Sequence, residues 1–259
     1  MFADVITRQP SFTGRTLRLL ADGPRSAAEI AEMIGMERGG RVSDALDQLV
    51  ESGLASADEN ANPATGKAAR EKRYRIRDNY VRFYLKYIEP VKSAIDGGRF
   101  PFTGLNRLDG WESVMGLAFE NLVVNNVSML LGPLHLSSAT VVSAAPWRRA
   151  GRRKETAGKG ARKGARKAAG RGARKEDRKG VQVDLLLQTR RSVCIVEIKR
   201  RREIGREIVD EVAEKVRRVP VRKGMSVRTA LVYEGDLAPI VEADGYFDAI
   251  VPFRQLLGI

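Results

Sequence analysis

The chain has 259 residues, a 43% apolar share and a formal net charge of +14. That length fits one large domain or two small ones, and the apolar share is that of an ordinary globular protein. No run of 18 or more apolar residues is present to span a membrane, and Arg8, Gln9 and Pro10 interrupt any signal-peptide core. A single cysteine, Cys194, excludes an internal disulfide and fits a reducing cytosol, so the expected location is cytoplasmic, with no membrane partner.

The charge is unevenly placed. Arg148 to Lys179 holds 15 Lys and Arg against three acids, so +12 of the +14 sits there. This Gly-, Ala-, Lys- and Arg-rich stretch has too little apolar surface to offset the entropy of ordering it, and it reads as a disordered basic insertion at 148–180. Arg162, Lys163, Arg166 and Lys167 within it are candidate nucleic-acid contacts acting through counterion release, without sequence readout. A merely solubilising insertion is the alternative. No Gly-x-x-x-x-Gly-Lys-Ser/Thr pattern occurs, so any ATP hydrolysis would come from another chain.

Taken in order, Ser11 to Leu20 is a short apolar-periodic helix ending before Gly23-Pro24. Ser26 then caps a second helix, with Glu29 three residues on as its capping-box partner, and Gly35 closes it. A third helix spans roughly Arg41 to Ser52, with Val42, Ala45, Leu46, Leu49 and Val50 inward. A polar loop over Ala55 to Arg70 and a strand from Arg73 to Arg77 follow. Three short helices plus a β-wing predict a winged helix-turn-helix over 1–78.

Arg38 and Arg41 near the third helix, and Lys72 and Arg73 in the wing, are its candidate nucleic-acid contacts. Asp44, Asp47 and Glu51 on the same helix would repel phosphate, and a base-reading helix normally offers Arg, Lys, Asn or Gln. Packing on a partner domain or generic backbone contact is therefore the reading these acids favour over base recognition. A transcription factor, the third functional class, would need sequence-selective binding through Arg38 and Arg41.

Asp78 caps a helix over Asn79 to Ile88 whose Tyr80, Val81, Phe83, Tyr84 and Tyr87 recur at helical spacing, as a core or interface stripe does. Gly97-Gly98, Pro101 and Gly104 close a helical linker over 79–107. A long helix is expected from Leu108 to about Leu131, with one acid, Glu120, among apolar neighbours. It is either a solvated edge position or a third carboxylate for a metal. A strand at Thr140 to Ala144 leads to Trp147. His135 has no ligand partner in sequence and reads as structural.

Val181 to Lys199 has the pattern of a β-hairpin with a polar turn at Thr189-Arg190-Arg191-Ser192. An even turn sets Asp184 opposite Glu197 and Gln182 opposite Lys199, all on one face. Two carboxylates about 5 Å apart repel by about 3 kcal/mol at an effective dielectric near 20. They need a cation between them or a proton on one. Mg²⁺ takes one or two carboxylates plus phosphate and water, and the Lys199 ammonium two residues along could steady a phosphate or an attacking water. Beyond it lie a charged helix over Glu203 to Arg218, a strand at Val227 to Tyr233, a loop with Pro239, a strand at Phe247 to Val251 and a helical turn. Lys215 on the charged helix reads as solvated more readily than as facing the hairpin.

Asp184, twelve intervening residues, then Glu197-x-Lys199 resembles the PD-(D/E)XK, restriction-endonuclease-like superfamily. Tyr74 to Asp78, Val81 to Tyr84 and Ile88 to Pro90 are similar to the C-terminal half of a family of prokaryotic ATPases, in which a winged helix links an AAA-type ATPase to a nuclease-like domain. The resemblance implies an α/β fold: an N-terminal winged helix-turn-helix, then a restriction-endonuclease-like α-β-β-β-α-β core over 108–259, without the ATPase domain. It implies Asp184 and Glu197 as ligands of Mg²⁺ or Mn²⁺, Lys199 beside the attacking water, and Glu120 as the acid on the preceding helix. DNA, ahead of RNA, an ATPase and a second copy of the chain are the implied partners. Gln182 stands where relatives often carry an acid, and no Pro-Asp precedes the hairpin. The alternative is a non-catalytic nucleic-acid-binding or regulatory module of an ATPase system.

Overall fold

A computed structural model describes residues 12–37, 39–59, 62–65, 67, 71–101, 104–149, 151 and 180–258. The chain is a mixed α/β protein with two sheets, one of three strands and one of five.

Three helices, α1 (Phe12–Ala21), α2 (Ala27–Ile34) and α3 (Gly40–Glu51), pack with a small sheet of β1 (Arg25–Ser26), β2 (Ala55–Asp58) and β3 (Arg73–Ile76). The sheet is antiparallel in the order β1-β3-β2. The predicted capping box is present: the Glu29 amide donates to the Ser26 hydroxyl, the Ser26 amide donates to the Glu29 carboxylate, and Gly35 ends α2 at φ 74. Leu17, Leu20, Ile30, Leu46, Leu49 and Ile76 form the core. The loop expected over Ala55 to Arg70 begins as β2, because Ser56 and Ala57 find partners in Arg75 and Tyr74. Their weak strand preference is overridden by that pairing.

The aromatic stripe divides between two contacts. Val81 and Tyr84, on and just after α4 (Asn79–Phe83), join the first core, whereas Phe83 and Tyr87 pack on Trp111. After α5 (Lys92–Asp96), the helix α6 (Trp111–Asn125) is shorter than its apolar pattern suggests. The Asn126 side chain donates to the Leu122 carbonyl at 2.8 Å, competing with the backbone for the next helical bond.

The large sheet runs β4-β5-β6-β7-β8, with β4 (Val141–Arg149), β5 (Val181–Thr189), β6 (Ser192–Ile204), β7 (Ser226–Leu237) and β8 (Ala249–Pro252). The first three strands are antiparallel, and β6-β7-β8 are parallel. Helix α6 covers one face through Phe119 and Val123, and α7 (Glu207–Arg218) covers the other through Ile208 and Val212. Covered on both faces, β5 and the first half of β6 are almost continuously buried rather than alternating. Short α8 (Pro239–Ala243), expected as loop, and α9 (Phe253–Leu256) complete the chain.

The charged helix expected from Glu203 starts at Glu207, because Glu203 and Ile204 stay paired with Asp236 and Leu237 of β7. Gly235 permits the irregularity just before them: at φ 120 it packs against the Arg201 carbonyl, where any Cβ would collide. The basic insertion does not start at 148, since Arg148 and Arg149 pair with Gln182 and Val181. The rest of it, with Arg162, Lys163, Arg166 and Lys167, lies outside the described residues apart from Gly151 and Gly180.

Arg75, on β3 of the wing, is buried. Its Nε donates to both Asp58 carboxylate oxygens at 3.1 Å, and its Nη1 donates to Asn121 on α6. Removing one member of a buried pair leaves an uncompensated charge. Arg75→Ala should lower stability by about 3–5 kcal/mol, read as a reduced urea midpoint. Replacing both members, Arg75→Met with Asp58→Leu, should recover most of that loss.

Candidate active site

The hairpin register matches the spacing argument over four pairs, Gln188↔Val193 to Leu185↔Val196. Beyond Leu185 that ladder ends. On the opposite edge of β5, Ala145 pairs with Leu186 and Trp147 with Val183, so Pro146 alone faces Asp184 and Leu185. This is a β-bulge, which bends a strand and re-aims a side chain. Pro146, with no amide hydrogen to donate, sits on the edge strand, where its loss of a ladder bond is tolerated. The expected facing of Gln182 and Lys199 is not formed. Gln182 pairs with Arg148, and Lys199 with Tyr233 of β7.

The bulge frees the Asp184 side chain to reach across to β6, where its Oδ2 accepts from the Ile198 amide at 2.9 Å. Glu197 comes to the same place from β6, and both carboxylates are buried, at 9% and 3% exposure. Lys215 of α7 lies against both. Its Nζ donates to Glu197 Oε2 and is 3.9 Å from Asp184 Oδ1. Lys199 Nζ is 3.9 Å from Glu197 Oε1 and donates to Glu211 Oε2 at 2.7 Å. Acids and ammonium groups thus alternate from Asp184 through Lys215, Glu197 and Lys199 to Glu211.

Lys215 is therefore not a solvated lysine, and Glu211 was not singled out in the sequence. A signal for both existed. With the buried Ile208 and Val212, Glu211 and Lys215 follow an i, i+3, i+4, i+7 spacing, which puts them on the apolar side of α7.

Burial raises both central acids. The Glu197 carboxyl is pushed up to about 7 by burial and by Asp184, with Lys215 and Lys199 opposing. Asp184 is raised by burial against the pull of Lys215 and the Ile198 amide. Lys215 loses solvation too, but Asp184 and Glu197 outweigh that loss and hold its amine above the ordinary lysine value.

Glu120 on α6 senses the same pair. Burial and the charges of Asp184 and Glu197 push its carboxyl up to about 8, while Arg82 and Arg75 pull the other way. It lines a small cavity with Asp58, Arg73, Trp147, Arg148 and Gln182. Arg82 of α4 is buried, and its Nε and Nη1 have no hydrogen-bond partner among the described residues. Its guanidinium falls to about 10 through burial, with Glu120 opposing.

The donor set fits a hard divalent cation in part. Two buried carboxylates already share one ammonium, which stands in for a cation at that point. Among the described residues no group of three or more His, Cys, Asp or Glu converges to hold a metal ion. The remaining ligands would be water or phosphate oxygens, which Mg²⁺ commonly retains.

The nucleic-acid candidates are dispersed. Arg41 is exposed on α3, beside the exposed Asp44 and Asp47. Lys72 is exposed and paired with Glu59 at 2.5 Å. Arg73 is held inside the fold, donating to the Pro24 carbonyl at 2.7 Å and to Glu29 at 2.9 Å. Arg38 lies outside the described residues. No helix among the described residues is long and apolar enough to cross a membrane.

Comparison with family models and with curated proteins finds no match. The solved structure of protein VC1899 from Vibrio cholerae aligns with 98% of this chain and 50% of its own, at 14% identity and a TM-score of 0.34. The chain thus spans about half the length of that protein, and a likeness at that score carries no argument about fold or function.

The raised Glu120 carboxyl fixes a pH dependence. Below about 4.5 Glu120 is protonated in folded and unfolded chains alike, and its contribution to stability is complete. As pH rises through about 8 the unfolded chain has already released the proton, and that contribution is lost. In chelator, the melting temperature should fall across this range. Glu120→Gln should flatten the upper part, from about pH 7 to 8, where Glu197 has already ionised.

Proposed function

We propose that this chain is a metal-dependent nuclease of the PD-(D/E)XK type, hydrolysing phosphodiester bonds in DNA, behind an N-terminal winged helix and working with or derived from an ATPase. One observation carries the reading: two buried carboxylates, brought together where β5 and β6 part, with a cation between them and a second ammonium alongside. The order α6-β4-β5-β6-α7-β7, with strand polarity changing at β6, agrees with a restriction-endonuclease-like core. Three helices with an antiparallel three-stranded sheet agree with a winged helix.

Asp184 and Glu197 would hold Mg²⁺ or Mn²⁺. When bound there, such an ion lowers the pKa of a water and stabilises charge on a phosphate. Lys199, anchored by Glu211, would orient the attacking water or a phosphate oxygen. Glu120 feels the charge of both acids and would act on the site through its field rather than as a third metal ligand. DNA would be attracted by charge rather than read. Arg41 and Lys72 offer backbone contacts among acids, and the basic stretch with Arg162, Lys163, Arg166 and Lys167 supplies counterion release. Cytoplasmic location and homodimer formation belong to the same reading.

A second reading, a non-catalytic nucleic-acid-binding or regulatory module of an ATPase system, has one observation in its favour. Lys215 already neutralises the acid pair without a metal.

Nicking of supercoiled plasmid separates the two. Wild-type protein should cleave with Mg²⁺ or Mn²⁺ and not in chelator, and Asp184→Ala and Lys199→Ala should each lose about 100-fold or more. Metal binding needs ionised carboxylates, so cleavage should rise as pH passes through about 7, where Glu197 ionises. Absence of cleavage with every divalent metal, with DNA binding intact, would leave the module.

A further inference from the structure

The acid pair is not open to an incoming ion: Lys215 Nζ donates to Glu197 Oε2 and lies 3.9 Å from Asp184 Oδ1. We propose that Lys215 is a resident counter-cation, which a divalent metal must displace from between Asp184 and Glu197 before the site can load. This inference rests on the metal-dependent reading above and adds a residue that sets how tightly and how selectively that metal is held.

The argument is electrostatic and steric together. When both are ionised, Asp184 and Glu197 carry two negative charges in a place with almost no solvent exposure. Without a cation, their repulsion would be added to the cost of desolvating each. Lys215 supplies one positive charge at the shared point, and Lys199, engaged mainly by Glu211, supplies only part of a second. The pair therefore keeps an excess of negative charge that a monovalent ammonium does not cancel and a divalent ion would.

Lys215 can leave without unfolding anything. Ile208, Val209 and Val212 anchor α7 in the core, whereas Lys215 hangs from a flexible four-carbon stem one turn from the helix end. Its ammonium can move outward while the helix stays in place. An unoccupied pair held by lysine would keep the metal-free protein folded, and weakly binding ions would not repay the loss of that ion pair.

The test is Mn²⁺ binding to the full chain, followed by electron paramagnetic resonance of free Mn²⁺, with melting temperature in chelator as a second readout. Lys215→Met should bind Mn²⁺ about tenfold or more tightly, since no buried ion pair has to be broken. It should melt lower in chelator and regain most of that loss with saturating Mn²⁺. Lys215→Arg keeps the charge in a fork that grips carboxylates bidentately, and it should bind Mn²⁺ more weakly than wild type. If wild type binds Mn²⁺ and Lys215→Met binds it no more tightly, the inference fails while the metal-dependent reading stands. If neither binds, both fail. Should Lys215→Met not fold, Lys215→Arg decides alone: weaker binding supports the exchange, and equal or tighter binding overturns it.

Discussion

The structure depends on placing two carboxylates in a nearly water-free position and then neutralising them from a different part of the chain. The β-bulge at Asp184 and Leu185 opens the gap, because one residue of β4 has to match two of β5. Asp184 then spends one oxygen on the Ile198 amide, a bond that fixes its orientation and satisfies a donor left over where the hairpin ladder ends. Helix α7 supplies what the hairpin lacks, a cation through Lys215 and an anchor for Lys199 through Glu211. Without α7 the hairpin would present two mutually repelling acids in an apolar sheet.

The first unit of the chain touches this centre through Glu120 and its neighbour. Asn121 accepts from Arg75, and its amide nitrogen donates to the Arg77 carbonyl at 2.7 Å and to Asn79 at 2.8 Å. Asn79 in turn donates to the Ala118 carbonyl. Every bond in this set crosses between α6 and the stretch from β3 to the start of α4. Glu120, one residue before Asn121, feels both the Arg82 and Arg75 guanidinium groups and the charges of Asp184 and Glu197. Any shift of the N-terminal unit would change the field at the proposed metal site.

These demands also explain why the wing is a poor nucleic-acid surface. Arg73 and Arg75 lie close to Lys72 in sequence. Yet Arg75 is needed opposite Asp58 and Asn121, and Arg73 is needed beneath Pro24 and Glu29. A buried guanidinium bound to a carboxylate contributes to the fold and is unavailable to phosphate. The two candidates exposed among the described residues, Arg41 and Lys72, are accompanied by Glu59, Asp44 and Asp47, which suits generic contact better than base readout.

By itself the sequence determined what depends on near neighbours. The Ser26–Glu29 capping box and the phase of the hairpin both follow from spacing within a few residues. A short turn leaves a hairpin little choice of register, and that register holds as far as Leu185 and Val196, one step short of the Asp184–Glu197 pairing the spacing predicts. Tertiary structure decided the rest. The bulge arises from Pro146 on a strand that is distant in sequence from β5. Extension of β6 to Ile204 requires β7 as a partner, and the inward turn of Arg75 requires Asn121. Lys215 lies 18 residues beyond Glu197. Periodicity could place it on the apolar side of a helix, but only the packing of that helix across the sheet could bring its ammonium between two acids.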